Sequence, residues 1–222
     1  MKKPKTTLLP IVLFLILSLP AMIFQSCEPD DCDDENNFCD TCIKVLKPNI
    51  YIYPERELQL DVSINFPRGG AVTLSIPEYG NGWSISVDTF GKIDDKYDYL
   101  FYESEQPDVC QMNKGWSIKQ DSLTMFFTQN LKEYGFKGRE IDDFIEFWIP
   151  RLKDSEYYQV YPQTNTIIDS VIELTFSEMP DNILRLFYLI EESNANTSLQ
   201  VPQINAFKRE GFFVTEWGVI LR

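Results

Sequence analysis

The chain has 222 residues, 14% of them aromatic, and a formal charge of −14 from 34 acids against 20 bases. So many aromatic residues argue for a folded core, while the acidic balance argues against nucleic acid or anionic lipid as partners. Histidine is absent, which removes Ser-His-Asp and Cys-His nucleophile arrangements and imidazole metal sites. No phosphate-binding or dinucleotide fingerprint is present, so no metal or cofactor is expected and any catalysis falls to carboxylates.

Lys2, Lys3 and Lys5 precede an apolar run from Leu8 to Phe24, and Ser26 stands directly before Cys27. A basic start, an apolar middle and a small residue at the processing point mark a secretory signal. Pro10 and Pro20 interrupt the run, which is short for a membrane span. A cysteine directly behind such a segment resembles a bacterial lipoprotein signal, so residues 1–26 read as a signal peptide and Cys27 as a lipidated, palmitate-bearing residue. Phe24 and Gln25 stand where the usual box has Leu and a small residue. Such relaxed boxes resemble those of some Gram-negative groups. Acyl chains contribute about 0.8 kcal/mol per buried methylene, and more than one gives durable attachment.

Residues 27–42 read as an acidic, cysteine-containing tether. Glu28, Asp30, Asp31, Asp33, Asp34 and Glu35 repel one another and extend it. An acidic stretch behind a lipidated cysteine also resembles the surface-export signals of the same bacteria. The expected location is therefore the envelope of a Gram-negative bacterium, anchored in the outer membrane and exposed at the surface. Cys32, Cys39, Cys42 and Cys110 are an even set in an exported chain and read as disulfide candidates, with three pairings open. Cys39 and Cys42 form a CxxC, but it lies before the folded region rather than opening a helix, which argues against redox catalysis.

Residues 43–222 read as a single domain. Ile50 and Ile52 oppose Tyr51 and Tyr53 on an early strand. Leu58 to Phe66 alternates cleanly, Pro67-Arg68-Gly69-Gly70 turns the chain, and Val72, Leu74 and Ile76 continue the pattern. Gly80-Asn81-Gly82 is a hairpin signal before Trp83, Ile85 and Val87, so these three strands are expected to form an antiparallel meander. A further strand spans Tyr97 to Glu103. The period then changes: Leu123, Phe126, Phe127, Leu131 and Tyr134 recur at helical spacing, with Asp121 or Ser122 as the N-cap and Gly135 as the stop. Ile141, Phe144, Ile145, Trp148, Ile149 and Leu152 form a second helical stripe that Pro150 bends or shortens. Strands resume at 157–161 and 171–176, a central strand covered on both faces spans 183–190, and Phe212 to Trp217 closes the fold. The class is α+β: a mainly antiparallel sheet or sandwich with a two-helix pair inserted after the fourth or fifth strand.

Several phrases stand together: Lys47-Pro48-Asn49-Ile50-Tyr51-Ile52-Tyr53-Pro54, Pro77-Glu78-Tyr79 leading to Gly82-Trp83, Tyr99-Leu100-Phe101-Tyr102-Glu103, Asp143-Phe144-Ile145 running to Trp148-Ile149-Pro150, and Glu216-Trp217-Gly218. As a set they resemble a family of bacterial exported or lipid-anchored proteins of unknown function, marked by KPxIYxYP, YLFWE-like and EWG motifs. The resemblance spans residues 47–218. It implies one folded unit and export, and no activity.

For chemistry, Glu103 and Glu216 each end an apolar or aromatic row, where desolvation raises a carboxyl pKa. Such a pair is what a glycan hydrolase needs, provided the two meet. Tyr51, Tyr53, Tyr102 and Trp217 are the rings expected to stack on a sugar. Three functions follow as expectations: an anchored binding or interaction module for a glycan or another envelope protein, a carboxylate-dependent glycan hydrolase, and a structural envelope protein. The first is preferred.

Overall fold

Alternating side chains give most strands of this domain two unlike faces, and the fold is the arrangement that buries the apolar ones. The structure, a computed structural model, describes residues 42–222. The expected signal segment, Cys27, Cys32, Cys39 and the expected acidic tether up to residue 41 lie outside the described residues. Among the described residues ten strands are formed: β1 (Cys42–Tyr53), β2 (Leu58–Asn65), β3 (Ala71–Ile76), β4 (Trp83–Val87), β5 (Leu100–Pro107), β6 (Trp116–Lys119), β7 (Tyr157–Thr164), β8 (Glu173–Phe176), β9 (Asn182–Ser193) and β10 (Phe213–Leu221). The helices are α1 (Leu123–Tyr134), α2 (Arg139–Trp148) and the short α3 (Asn165–Ile168).

The strands make a seven-stranded sheet in the order β3-β5-β1-β10-β9-β7-β6 and a three-stranded sheet in the order β4-β2-β8. Only β9 and β10 run parallel; every other pairing is antiparallel. The large sheet is the middle of three layers. Ile50, Ile52, Leu100, Leu189 and Val214 pack on one face against Leu60, Val62, Ile85 and Leu174 of the small sheet. Tyr51, Val160, Tyr188, Trp217 and Val219 pack on the other face against Leu123, Phe127, Phe144 and Trp148 of the helices. A fully buried side chain of this size contributes about 1.5–3 kcal/mol, so both interfaces are needed to offset the entropy of ordering the chain. The class is the expected α+β, antiparallel-dominated with an inserted helical pair.

The helix pair forms where the periodicity places it. Gly135 sits at φ 116° and its N–H donates to the Leu131 and Lys132 carbonyls, ending α1 in a left-handed turn. Phe127 and Phe144 then join the two helices at 4.9 Å between ring centroids. Pro150 does not bend α2; it lies in a single 3-10 turn, Ile149–Arg151, that follows the helix. The pair enters after the sixth strand rather than the fourth or fifth, because the short β6, which pairs with β7, precedes it.

The expected meander is not formed. β2 pairs with β4 in the small sheet, whereas β3 leaves to pair with β5 at the edge of the large one. The apparent hairpin at Gly80-Asn81-Gly82 is a passage between sheets. The reason is visible in β3, whose Leu74 and Ile76 are 51% and 52% exposed, so its alternation marks no dry face. Trp83 anchors the crossing, donating Nε1–H to the Pro77 carbonyl at 2.9 Å and meeting the Tyr79 ring edge-on at 4.8 Å. No disulfide joins Cys42 to Cys110, the two candidates among the described residues. The Cys110 side chain instead packs partly buried on the sandwich core, and burial pushes its thiol up to about 11.

Candidate functional site

The site begins with a dipeptide that a regular strand accommodates poorly. Lys47 precedes Pro48, which has no N–H to give to a ladder and is tolerated in sheets chiefly at edges and bulges. β1 is nevertheless a central strand, and it resolves the conflict by bulging. Its register slips between Leu46 and Asn49 against β10 and between Val45 and Asn49 against β5. Lys47 takes φ 57°, a left-handed conformation that costs a non-glycine residue about 1–2 kcal/mol. Across the sheet, Gly218 makes room: a Cβ there would stand 2.9 Å from the Phe187 ring and 3.2 Å from Pro48. Bulges of this kind re-aim side chains, and this one aims Lys47 out of the helix-side face, past the end of α2.

The Lys47 ammonium donates to Asn49 Oδ1 at 3.0 Å and to the Tyr99 hydroxyl at 3.2 Å. It lies 4.6 Å from the Tyr99 ring, 4.5 Å from Phe101 and 5.4 Å from Phe147. Asn49 is held in turn, since its Nδ2 donates to the Tyr51 hydroxyl at 3.3 Å, and Tyr51 donates to Asp143 Oδ2 at 2.8 Å. A continuous polar chain therefore runs from Lys47 on β1 to Asp143 on α2.

Around Lys47 the surface opens into a groove with two lobes. The first, about 440 Å³, is lined by Lys47, Ile76, Asp98, Tyr99, Glu103 and Phe147 among others. The second, about 390 Å³, is lined by Lys47, Asn49, Asp143, Glu146, Phe147 and Arg151 with Tyr99. Lys47, Tyr99 and Phe147 belong to both. Arg151 lies 3.7 Å over the Phe147 ring and donates to the Phe147 carbonyl at 2.6 Å, which fixes the wall.

Burial is the main influence on the charges here. It lowers Lys47 to about 8, even though the Asp143 and Glu103 carboxylates pull it back up; Arg151 pushes it further down. Burial also raises the Asp143 carboxyl, with the Tyr51 hydrogen bond and the Arg139 and Lys47 charges opposing. The Tyr51 phenol is raised, first by burial and then by Asp143. An amine and a carboxyl are thus both drawn toward their neutral forms on one groove, which is the pattern of titratable groups that marks functional clefts.

The residues expected from sequence are placed apart. Glu103 lines the groove. Glu216 is fully buried on the opposite face of the large sheet, accepting from the Tyr102 hydroxyl at 2.7 Å and from Arg185 Nε at 2.5 Å. Side chains one residue apart on a strand point to opposite faces, so the neighbours Tyr102 and Glu103 already separate the two acids, and they form no catalytic pair. Tyr102 and Trp217 are wholly buried core rings. Tyr53 is half-buried, stacked on Phe213 at 4.9 Å and facing Arg209. Tyr51 is buried as a ring and reaches the groove wall only through its hydroxyl. None of the four presents a free stacking face.

Sequence reasoning missed Lys47, Asp143 and Phe147 as site residues. Lys47-Pro48 was legible as an oddity inside a strand, but only the bulge turns it toward Asp143. A second buried network was also missed: Glu140 on α2 receives both Arg209 nitrogens at 2.8 Å and the Thr215 hydroxyl at 2.9 Å. Among the described residues no group of three or more Cys, Asp or Glu side chains is placed to hold a metal ion, and no helix is long and apolar enough to cross a membrane. Comparison with family models, curated proteins and solved structures finds no match.

Proposed function

We propose that this chain is an exported lipoprotein, anchored through Cys27 to the outer membrane of a Gram-negative bacterium, and that its domain is a binding module whose ligand seats in the Lys47 groove. The single observation that carries the binding reading is the bulge at Lys47. A strained backbone, a half-buried cation and a continuous polar chain are all maintained at the mouth of a groove, at a cost in stability that packing alone gives no reason to bear. What supports the anchor is the basic start, apolar run and Ser26-Cys27 junction.

The lining suits a hydroxylated ligand such as a glycan. Carboxylates of Glu103, Asp143 and Glu146 accept from hydroxyls, cations of Lys47 and Arg151 donate to them, and Phe147 supplies an apolar wall. The test is retention of the full-length protein, in detergent, on a panel of immobilised bacterial and host polysaccharides. Saturable retention that weakens at least tenfold in Arg151→Ala and Glu146→Gln supports the groove as the glycan site. Retention unchanged by both moves the ligand elsewhere, and no retention on any polysaccharide sinks the glycan. The hydrolase alternative loses the Glu103–Glu216 pair. Its remaining pair is Glu103 with Asp143, both of which act on Lys47, and sugar release abolished by Asp143→Asn would favour it.

A further inference from the structure

We infer that Lys47 is a carbonyl-reactive amine, which condenses reversibly with an aldehyde or ketone group of a ligand entering the groove. This rests on the reading of the groove as a ligand site and adds a covalent step to it. A neutral –NH2 has two N–H bonds, and Asn49 Oδ1 and the Tyr99 hydroxyl stand at 3.0 and 3.2 Å to receive them. With both hydrogens engaged, the nitrogen lone pair is left in the remaining tetrahedral direction. Lys47 lines both lobes of the groove and is only half-buried, so a ligand seated there meets its side chain. The bulge fixes where the amine stands, which is the positioning a nucleophile requires.

Two influences oppose each other at the nitrogen. The faces of Tyr99, Phe101 and Phe147 and the carboxylates of Glu103 and Asp143 favour the ammonium form. Loss of water favours the free amine, and it dominates, holding Lys47 at about 8. At pH 7 about one Lys47 in ten is then unprotonated, against roughly one in 2,500 for an ordinary lysine near 10.4. Part of that advantage is given back, because a less basic amine is intrinsically less nucleophilic and the groove restricts approach.

The chemistry balances without a further reactant. The Nζ lone pair adds to the carbonyl carbon and forms the C–N bond, while the C=O π pair moves to oxygen, which takes up the proton the nitrogen releases. The carbinolamine then loses its C–O bond as that oxygen leaves in water with a second proton from nitrogen, giving the C=N imine. The Tyr99 hydroxyl, in contact with Nζ, is the nearest proton carrier. Glu103 and Asp98 line the same lobe and would accept from hydroxyls beside the carbonyl, so the substrate class is a hydroxylated aldehyde or ketone, such as the open-chain form of a reducing sugar.

The test uses the full-length protein in detergent with glycolaldehyde and cyanoborohydride at pH 7.0, and peptide mass spectrometry to follow the adduct on every lysine. Lys47 is expected to be trapped at least tenfold faster than Lys44, whose side chain is 71% exposed, and faster than the exposed Lys153. Lys47→Arg, which keeps the charge, is expected to abolish the fast adduct and leave the others unchanged. Trapping at Lys47 no faster than at Lys44 overturns the inference, and the comparison within one molecule does not depend on whether a variant folds. Because polysaccharide retention is measured without aldehyde or reductant, a failure here is separable from a failure of the groove as a binding site.

Discussion

Glu216→Leu is the perturbation for which the structure sets the sharpest expectation. Glu216 is 0% and Arg185 2% exposed. The carboxylate accepts from Arg185 Nε on one oxygen and from the Tyr102 hydroxyl on the other. Arg185 Nη1 also reaches Asp169 at 2.7 Å and the Ile172 carbonyl, while Nη2 has no hydrogen-bond partner. Asp169 is 50% exposed and neutralises a buried cation weakly. Removing Glu216 therefore leaves a charge in the core beside an orphaned phenol. Breaking such a pair costs about 3–5 kcal/mol, a large share of the 5–15 kcal/mol that holds a domain together. The pair is nevertheless not a net source of stability, since removing two charges from water offsets most of their attraction. Replacing the whole cluster, as Arg185→Met with Glu216→Leu and Tyr102→Phe, is expected to return to within about 1 kcal/mol of the parent or to exceed it. Urea denaturation followed by tryptophan fluorescence measures all the members. A single variant that loses under about 1 kcal/mol, or a triple variant as unstable as the single, would refute the reasoning.

Lys47 gives a prediction with the opposite sign. Its folded pKa of about 8 lies below the free value of 10.5, so between those values the unfolded chain binds a proton that the folded chain does not, and stability rises with pH there. The penalty is full below about 8 and gone above 10.5. Discounted for partial exposure, it makes Lys47→Met more stable by about 1 kcal/mol at pH 7, with the gain vanishing toward pH 10.5. Unfolding at several pH values checks this, and a difference independent of pH would refute it. Phe144 is fully buried and meets Phe127, Tyr188 and Trp217, so Phe144→Ala is expected to cost about 3–5 kcal/mol in the same denaturation assay. Cys110, with its thiol pushed up to about 11, is expected to react with iodoacetamide at pH 8 at least tenfold more slowly in the folded protein than in urea, read by mass spectrometry. Equal rates would show that the thiol is not shielded.

The helices and central strands were legible in the sequence because their signals are local and redundant. Phe127 with Leu131 and Phe144 with Trp148 keep a helical period, and the short, near-continuous apolar run of β9 reads as a strand covered on both sides. Gly135 ends α1 because only a residue without a side chain takes that φ without cost. The sheet partnership of β3 was not legible. Alternation says that a strand has two faces, but it does not say which strand lies beside it. β3 and the strands flanking it read as one meander until the exposure of Leu74 and Ile76 assigns β3 to an edge.

The candidate site divides along the same line. Sequence alone removed imidazole chemistry, because the chain contains no histidine, and it pointed to carboxylates without singling out the Lys47 amine. Only the tertiary structure decided which acid meets which partner. Glu216 goes to Arg185 because β10 lies beside β9 in register, opposing Glu216 to Arg185, and Asp143 reaches Tyr51 because α2 packs on the sheet face that carries Tyr51. Contacts between residues some 90 positions apart depend on how whole layers stack, and one residue inserted at a bulge changes where every later side chain points. That is why composition constrained the chemistry, while the groove around Lys47 exists only in the packed domain.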